Sequence, residues 1–266
     1  MSLMGYRMHV VSKQLSNFDN MIFCGTSIRK QSLQGDIRHT NSHFHFSFGF
    51  PIGGNTACGI SFMLRKSRFD EKKIISTVTP EDDSDIMGRL AIIRYRNGRE
   101  DIALLGSYFP TKPNSHATMR NYWRVCNSML AWIRTHTENL PGRCLLLSFG
   151  DFNDDFGSSK QGDNFVDVQS SCIGDARRGK EKFIGTRFRQ LCETLGQGIC
   201  SIFQKTKATC CGHGHKTYLD TWTIPLHHIR EVTEYRTMPR IAAAFRTITS
   251  KCADHVPVMV FMFHSL

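Results

Sequence analysis

From His43 to Phe50 the chain reads His-Phe-His-Phe-Ser-Phe-Gly-Phe, so aromatic and polar positions alternate with the period of two expected of a strand. The pattern predicts a strand that buries Phe44, Phe46, Phe48 and Phe50 on one face, as core rather than as a stacking platform. Arg89 to Arg96 and Asp101 to Pro110 are two further strand-like runs, and Asn97-Gly98 between them accepts positive φ, which predicts a hairpin. Ser115 can cap a long helix in which Met119, Tyr122, Cys126, Met129, Leu130 and Ile133 recur at spacings of three and four. Cys144 to Phe149 reads CLLLSF, a run short enough to be a strand buried on both faces, and it breaks at Gly150-Asp151. Phe188, Leu191, Cys192 and Leu195 mark a second helix stopped by Gly196. Strands are expected near Ile199 to Phe203, Tyr218 to Pro225 and Val256 to Phe263, and two packed sheets flanked by helices are the implied architecture.

Composition narrows the class. The chain has 266 residues, 40% of them apolar and 11% aromatic, with no repeat and no linker long enough to divide it. Residues 1–266 therefore read as a single domain with a sizeable core, not as a disordered or disulfide-stapled chain. The formal charge of +11 favours an anionic partner, either nucleic acid or an acidic surface. No apolar run approaches the roughly 20 residues needed to cross a bilayer, and the N-terminus lacks the core of a secretory signal. These features predict an intracellular chain that is neither secreted nor transmembrane, whose ten cysteines are buried thiols rather than a disulfide framework.

Three places could carry chemistry. Gly150-Asp151-Phe152-Asn153 follows the buried strand, whose period puts Asp151 and Asn153 on one face and Phe152 on the other. Read alone, Asp and Asn after a strand more often shape an Asx turn. Tyr218-Leu219-Asp220-Thr221-Trp222 carries an acid in mid-strand, and a buried carboxylate needs a partner. Asp254-His255 opens the last strand. His255 can take a proton near neutral pH and is a suitable partner for Asp220, although a surface His beside a turn is the blander alternative.

GDFN at 150–153, Tyr108 with Pro110 after it, YLDTW around Asp220 and DHVPV from 254 together resemble the endonuclease/exonuclease/phosphatase superfamily, the DNase I-like fold. The stretches GNTACGISFMLRKSRF (54–69) and GRLAIIRY (88–95) look most like endonuclease domains encoded beside reverse transcriptases in non-LTR retroelements. The resemblance implies a four-layer α/β/β/α sandwich that nicks DNA by metal-assisted phosphodiester hydrolysis. His255 would be the general base, held in the right tautomer by Asp220. Asp254 would ligate or orient the metal, Asp151 and Asn153 would stabilise the phosphoryl transition state at the metal, and Tyr108 would bond a phosphate oxygen. Oxygen ligands select Mg²⁺ or Mn²⁺. DNA, held by its backbone, would be the partner, with a reverse transcriptase domain of the same element as a second one, and the setting would be nuclear.

The sequence also departs from the family pattern. Met21 to Thr26 resembles the strand that normally bears a metal-binding Glu, and Gly25 stands in that place. The segment before it has no room for the usual first strand and its Asn, so an N-terminally truncated domain is expected, and Ala253 replaces the usual Ser. Two other readings therefore stay open: an inactive remnant that only binds nucleic acid, and a phosphatase acting on a small phosphoester. The basic loop with Arg177, Arg178 and Lys180, followed by Arg187, would meet phosphates. Cys210, Cys211, His213 and His215 give at most half a zinc site, because zinc normally takes two separated pairs.

Overall fold

The computed structural model describes residues 19–24, 36–40, 42–48, 59–81, 84–176, 178–203, 219–237 and 258–262. A four-stranded antiparallel sheet runs in the order β1 (Asn20–Cys24), β4 (Ile60–Arg65), β3 (His43–Phe48), β2 (Asp36–His39). A six-stranded mixed sheet runs β12 (Gln197–Ile199), β13 (Asp220–Pro225), β8 (Leu145–Asp151), β7 (Glu100–Tyr108), β6 (Leu90–Asn97), β5 (Ile74–Val78). Helices α1 (His116–Thr137) and α2 (Phe183–Leu195) cover the outer face of the larger sheet. Two smaller ribbons complete the described part: β9 (Gly157–Gln161) between β10 (Asn164–Asp167) and β11 (Gly179–Lys180), and β14 (Val232–Thr237) with β15 (Val258–Met262).

Two apolar cores follow from this layering. Ile22, Phe46, Phe62 and Leu64 of the smaller sheet meet Ile93, Leu104, Leu147, Phe149 and Trp222 of the larger one. On the other side, Leu90, Ala103, Leu105 and Leu146 meet Tyr122, Cys126, Met129, Ile133, Phe188 and Leu191 of the helices. Alternate residues of β8 thus feed different cores, and every residue of that strand is buried, as CLLLSF predicts. The result is an α/β sandwich with helices on one outer face. Among the described residues no helix is long and apolar enough to cross a membrane.

Several elements differ from the sequence reading. In β3 the Phe face is turned inward, yet His43, His45 and Ser47 on the other face are buried too, so the strand is covered on both sides. Phe50 lies outside the described residues. The hairpin loop is Gly98-Arg99, one residue later than expected, because Asn97 pairs with Glu100 and Gly98 takes φ of 60°. Cys200–Phe203 forms a helical turn rather than continuing the strand. Met119 and Leu130 only flank the core, while Val125 enters it. Gly196 ends α2 in the left-handed region, as expected.

Close to the hairpin, Arg94 donates from Nε at 2.9 Å and from a terminal nitrogen at 2.7 Å to the buried Asp101 carboxylate. The Arg94 hydrogen bonds hold the Asp101 pKa below its ordinary value. A folded pKa depressed below the unfolded one contributes stability above about pH 4, and that stability is lost as pH falls through the folded value. Asp101→Asn is expected to flatten the acid side of the stability profile, as read from urea midpoints. An unchanged slope would remove Asp101 from the acid-sensitive groups.

Candidate active site

One end of the larger sheet, where β7 and β8 finish and β6 and β13 begin, gathers polar residues in one row. Tyr108 of β7 is the parallel partner of Asp151 at the end of β8, and Asp151 is the antiparallel partner of Asp220, the first residue of β13. Arg89 immediately precedes β6 and continues its register opposite Tyr108, whose N–H donates to the Arg89 carbonyl at 2.8 Å. Directly opposed residues share a face, with Cβ atoms about 5 Å apart. That face follows from the pleat: Leu147 and Phe149 point toward the smaller sheet, and so does Asp151 two residues on. The row Arg89, Tyr108, Asp151, Asp220 therefore lies at one end of the larger sheet, on the face turned toward the smaller sheet. It runs from a cation through a phenol to two carboxylates.

Burial in the row is deep. Asp151 is 6% exposed, Asp220 7% and Arg89 8%. The Arg89 guanidinium donates to the Tyr108 carbonyl at 3.2 Å and sits 5.7 Å from the centre of the Tyr108 ring, so it braces that ring through its face. The buried Tyr235 hydroxyl donates to the Asp220 carbonyl at 3.3 Å, tying the start of β13 to β14. Below the row, a Cβ on Gly106 would fall 2.4 Å from Ile60 Cγ2 and 3.0 Å from Ile22 Cγ2, so only glycine lets β7 approach the smaller sheet this closely.

The turn after Asp151 explains the glycine and the phenylalanine of the motif. A Cβ on Gly150 would meet Ser107 Oγ at 2.2 Å and the Phe152 ring at 2.7 Å. Phe152 turns to the helix side, with ring centres 5.5 Å from Phe109 and 4.1 Å from Phe188. Asn153 leaves the strand with φ of 50°, its N–H donating to Asp151 Oδ1 at 3.1 Å, so an Asx turn is present. Its Nδ2 donates to the Phe109 carbonyl at 2.8 Å, and Thr111 Oγ1 donates to its Oδ1 at 3.3 Å. Asn153 thus locks the exit of β7 to the turn after β8 in this conformation, and its position is set by the turn rather than by strand period.

Asp154 is the residue that local sequence gives no reason to single out. Its buried carboxylate accepts N–H bonds from Lys182 at 3.1 Å and Gly185 at 2.8 Å, capping α2 from 28 and 31 residues away in the chain. Burial pushes its pKa up, while those N–H groups favour the ionised form. Arg89 was legible only as a charge beside an apolar strand; register gives it a place. Among the basic residues, Lys180 and Arg187 are exposed, with their cations over the rings of Phe165 and Phe183. Arg178 is held inward, donating to the Val168 carbonyl at 2.6 Å and to Asp175 at 2.5 Å. Arg177, Gly25, Asp254, His255 and the Cys210 to His215 cluster lie outside the described residues.

Among the described residues no three His, Cys, Asp or Glu side chains gather as a metal centre would require. Of the residues expected at a metal, the described part contains Asp151 and Asn153, whose side-chain oxygens are of the kind that suits a hard divalent cation.

Solved structures share this arrangement of elements. The chain is similar to the AP endonuclease LMAP of Leishmania major, with 12% identity and a TM-score of 0.64 over 98% of this chain and 83% of that one. It is also similar to the 3′ phosphatase NExo from Neisseria bound to a product DNA hairpin, with 11% identity and a TM-score of 0.65 over 98% and 96% of the two chains. The chain has the DNase I-like fold. A further structural neighbour is the endonuclease domain of TRAS1, a telomere-specific non-LTR retrotransposon, with 12% identity and a TM-score of 0.54 over 98% and 93%. No family model matches the sequence, and no curated protein matches it either. The DNase I-like likeness therefore rests on arrangement in space, at identities where few individual positions are shared.

Proposed function

We propose that this chain hydrolyses phosphodiester bonds of DNA with the help of Mg²⁺ or Mn²⁺. The observation that carries the reading is the cross-strand row Arg89, Tyr108, Asp151, Asp220 at one end of the larger sheet of a DNase I-like sandwich. In-line attack on a phosphodiester needs an activated water and compensation of charge on the phosphoryl oxygens. In this reading His255 takes the proton from the water, and Asp220 holds the imidazole in the tautomer that can accept it. Tyr108 donates to a phosphoryl oxygen, and Arg89 keeps its ring in place. Asp151 and Asn153, with Asp254, would hold the cation, which supplies positive charge to those oxygens when bound.

Purified protein is expected to relax supercoiled plasmid in Mg²⁺ or Mn²⁺, and chelation by EDTA should stop it. His255→Ala is expected to lower nicking by about 10²-fold or more, the range of a lost general base. Nicking that survives the substitution removes His255 from the mechanism. Arg89→Met is expected to slow nicking about tenfold through a displaced Tyr108, with little change where Tyr108 is already Phe. An equal effect in both backgrounds would sever Arg89 from Tyr108.

Gly25 motivates a second reading, since the resemblance implies a metal-binding Glu there. A chain short of that ligand would bind DNA in a salt-dependent way without cutting it. Gel shifts retained in the absence of nicking support this reading, and gain of nicking in Gly25→Glu would tie the loss to that position.

A further inference from the structure

On the outer face of the larger sheet, α1 and α2 meet at an aromatic contact that stays open to solvent. Trp123 of α1 is 46% exposed, and its ring centre lies 6.1 Å from that of Phe183, the first residue of α2. Phe183 also receives the Arg187 guanidinium at 5.9 Å from its centroid. The core stripe of α1 accounts for Tyr122, Val125, Cys126, Met129 and Ile133, and Trp123 falls outside it. Its contact with Phe183 therefore leaves about half of the indole facing solvent.

The charge around it is mainly positive, with Asp85 as an acidic neighbour through its pairing with Arg124. The 22 residues of α1 contain no Asp or Glu, and Arg120, Lys182 and Arg187 are exposed around the aromatic pair. Arg124 is paired to Asp85 and contributes less to the field. The two rings are inclined at 45°, with Phe183 packed against the core behind the exposed indole. An exposed aromatic face with cations beside it is the combination that holds unpaired nucleotides: the base stacks on the ring and the phosphates meet the cations. A protein interface of useful size would need a broader apolar patch than one exposed indole on this helix face.

The patch is also tied to the polar row. Lys182, immediately before α2, gives its N–H to Asp154, which follows Asn153, and Thr111 on the approach to α1 donates to Asn153. The start of α2 is thus fastened to the turn that carries Asp151 and Asn153, and the segment leading to α1 touches the same turn.

We propose that Trp123 and Phe183, with Arg187 and Arg120, form a platform for a single-stranded stretch of DNA leading to or from the scissile phosphate. The single-strand preference adds to the hydrolytic reading of the row and rests on it for its meaning. Affinities are to be measured in EDTA by fluorescence anisotropy, using labelled oligo(dT) and a blunt duplex of the same length. Trp123→Ala is expected to lower the ratio of single-strand to duplex affinity by about tenfold, the loss of roughly one stacked base. Trp123→Phe should retain most of it, and Arg187→Glu should weaken oligo(dT) binding and its salt dependence. Far-UV circular dichroism checks that the helices persist.

An unchanged ratio in Trp123→Ala overturns the platform. So does self-association of the protein that this substitution abolishes, because the face would then belong to a second copy. Failure of the two ideas is separable. Trp123-dependent oligo(dT) binding without nicking by the parent chain leaves the platform and removes hydrolysis. Nicking that His255→Ala abolishes, with a ratio indifferent to Trp123, does the reverse.

Discussion

Asp151→Asn is expected to lower plasmid nicking by about 10³-fold or more, Asp220→Asn by a similar factor, and the pair together by little more than either alone. The magnitude follows from what groups acting at a charged transition state contribute, and the non-additivity from their acting as a unit. The two carboxylates are direct cross-strand partners, so removing either charge disturbs the site that both face. Asparagine is the informative replacement. At 151 its side-chain oxygen can still accept the Asn153 N–H that Asp151 Oδ1 now accepts at 3.1 Å, so the turn should survive while the charge is lost. Single-turnover nicking rates with urea midpoints for each variant separate lost chemistry from lost folding. Effects that multiply independently would mean that the two carboxylates serve different sites, and full activity in either variant would remove that residue from the reaction.

Much of this architecture can be read along the chain, and the residues that cannot be read share one cause. CLLLSF, the α1 stripe and the Gly196 stop are local patterns, and each predicts its element closely. Local pattern also points to Asp151 at the end of its strand and to Asp220, which the sequence puts in mid-strand and the structure puts at the start of β13, while Tyr108 comes only from the family resemblance. Local pattern could not deliver the row they form, because strand order and register depend on pairings across 43 positions for Tyr108 with Asp151 and 69 for Asp151 with Asp220. Arg89 was passed over for that reason: only its position opposite Tyr108 distinguishes it from any other basic residue before a strand. His43 and His45 show the opposite error, where alternation predicted an exposed face and tertiary packing buried it. Charge runs misled in a third way. Arg178 belongs to the loop expected to meet phosphates, yet it is held by Asp175 and the Val168 carbonyl, and nearby Arg189 is buried against Glu181.

That last pair carries the largest stability effect expected in the described structure. Glu181 is buried and accepts bonds from the Gly157 N–H at 3.0 Å, Arg189 Nε at 3.0 and 3.2 Å and Thr186 Oγ1 at 3.2 Å. Arg189 reaches on to Glu193 at 2.8 Å. Truncating the acid leaves a largely buried guanidinium with a half-exposed neighbour as its remaining carboxylate, together with an N–H group stripped of its acceptor. Glu181→Ala is therefore expected to cost about 3–5 kcal/mol, measured by urea denaturation. Glu181→Leu with Arg189→Met should recover the part of the loss that comes from the unpaired guanidinium, while the Gly157 N–H stays without its acceptor. The consequence reaches the polar row. Glu181 stands next to Lys182, whose N–H holds Asp154 beside the turn of Asp151 and Asn153, so loosening this corner should also slow nicking in the single variant and restore part of it in the double. A single variant within about 1 kcal/mol of the parent would show that water or Glu193 compensates the guanidinium, and that α2 is anchored by Asp154 and its apolar face instead.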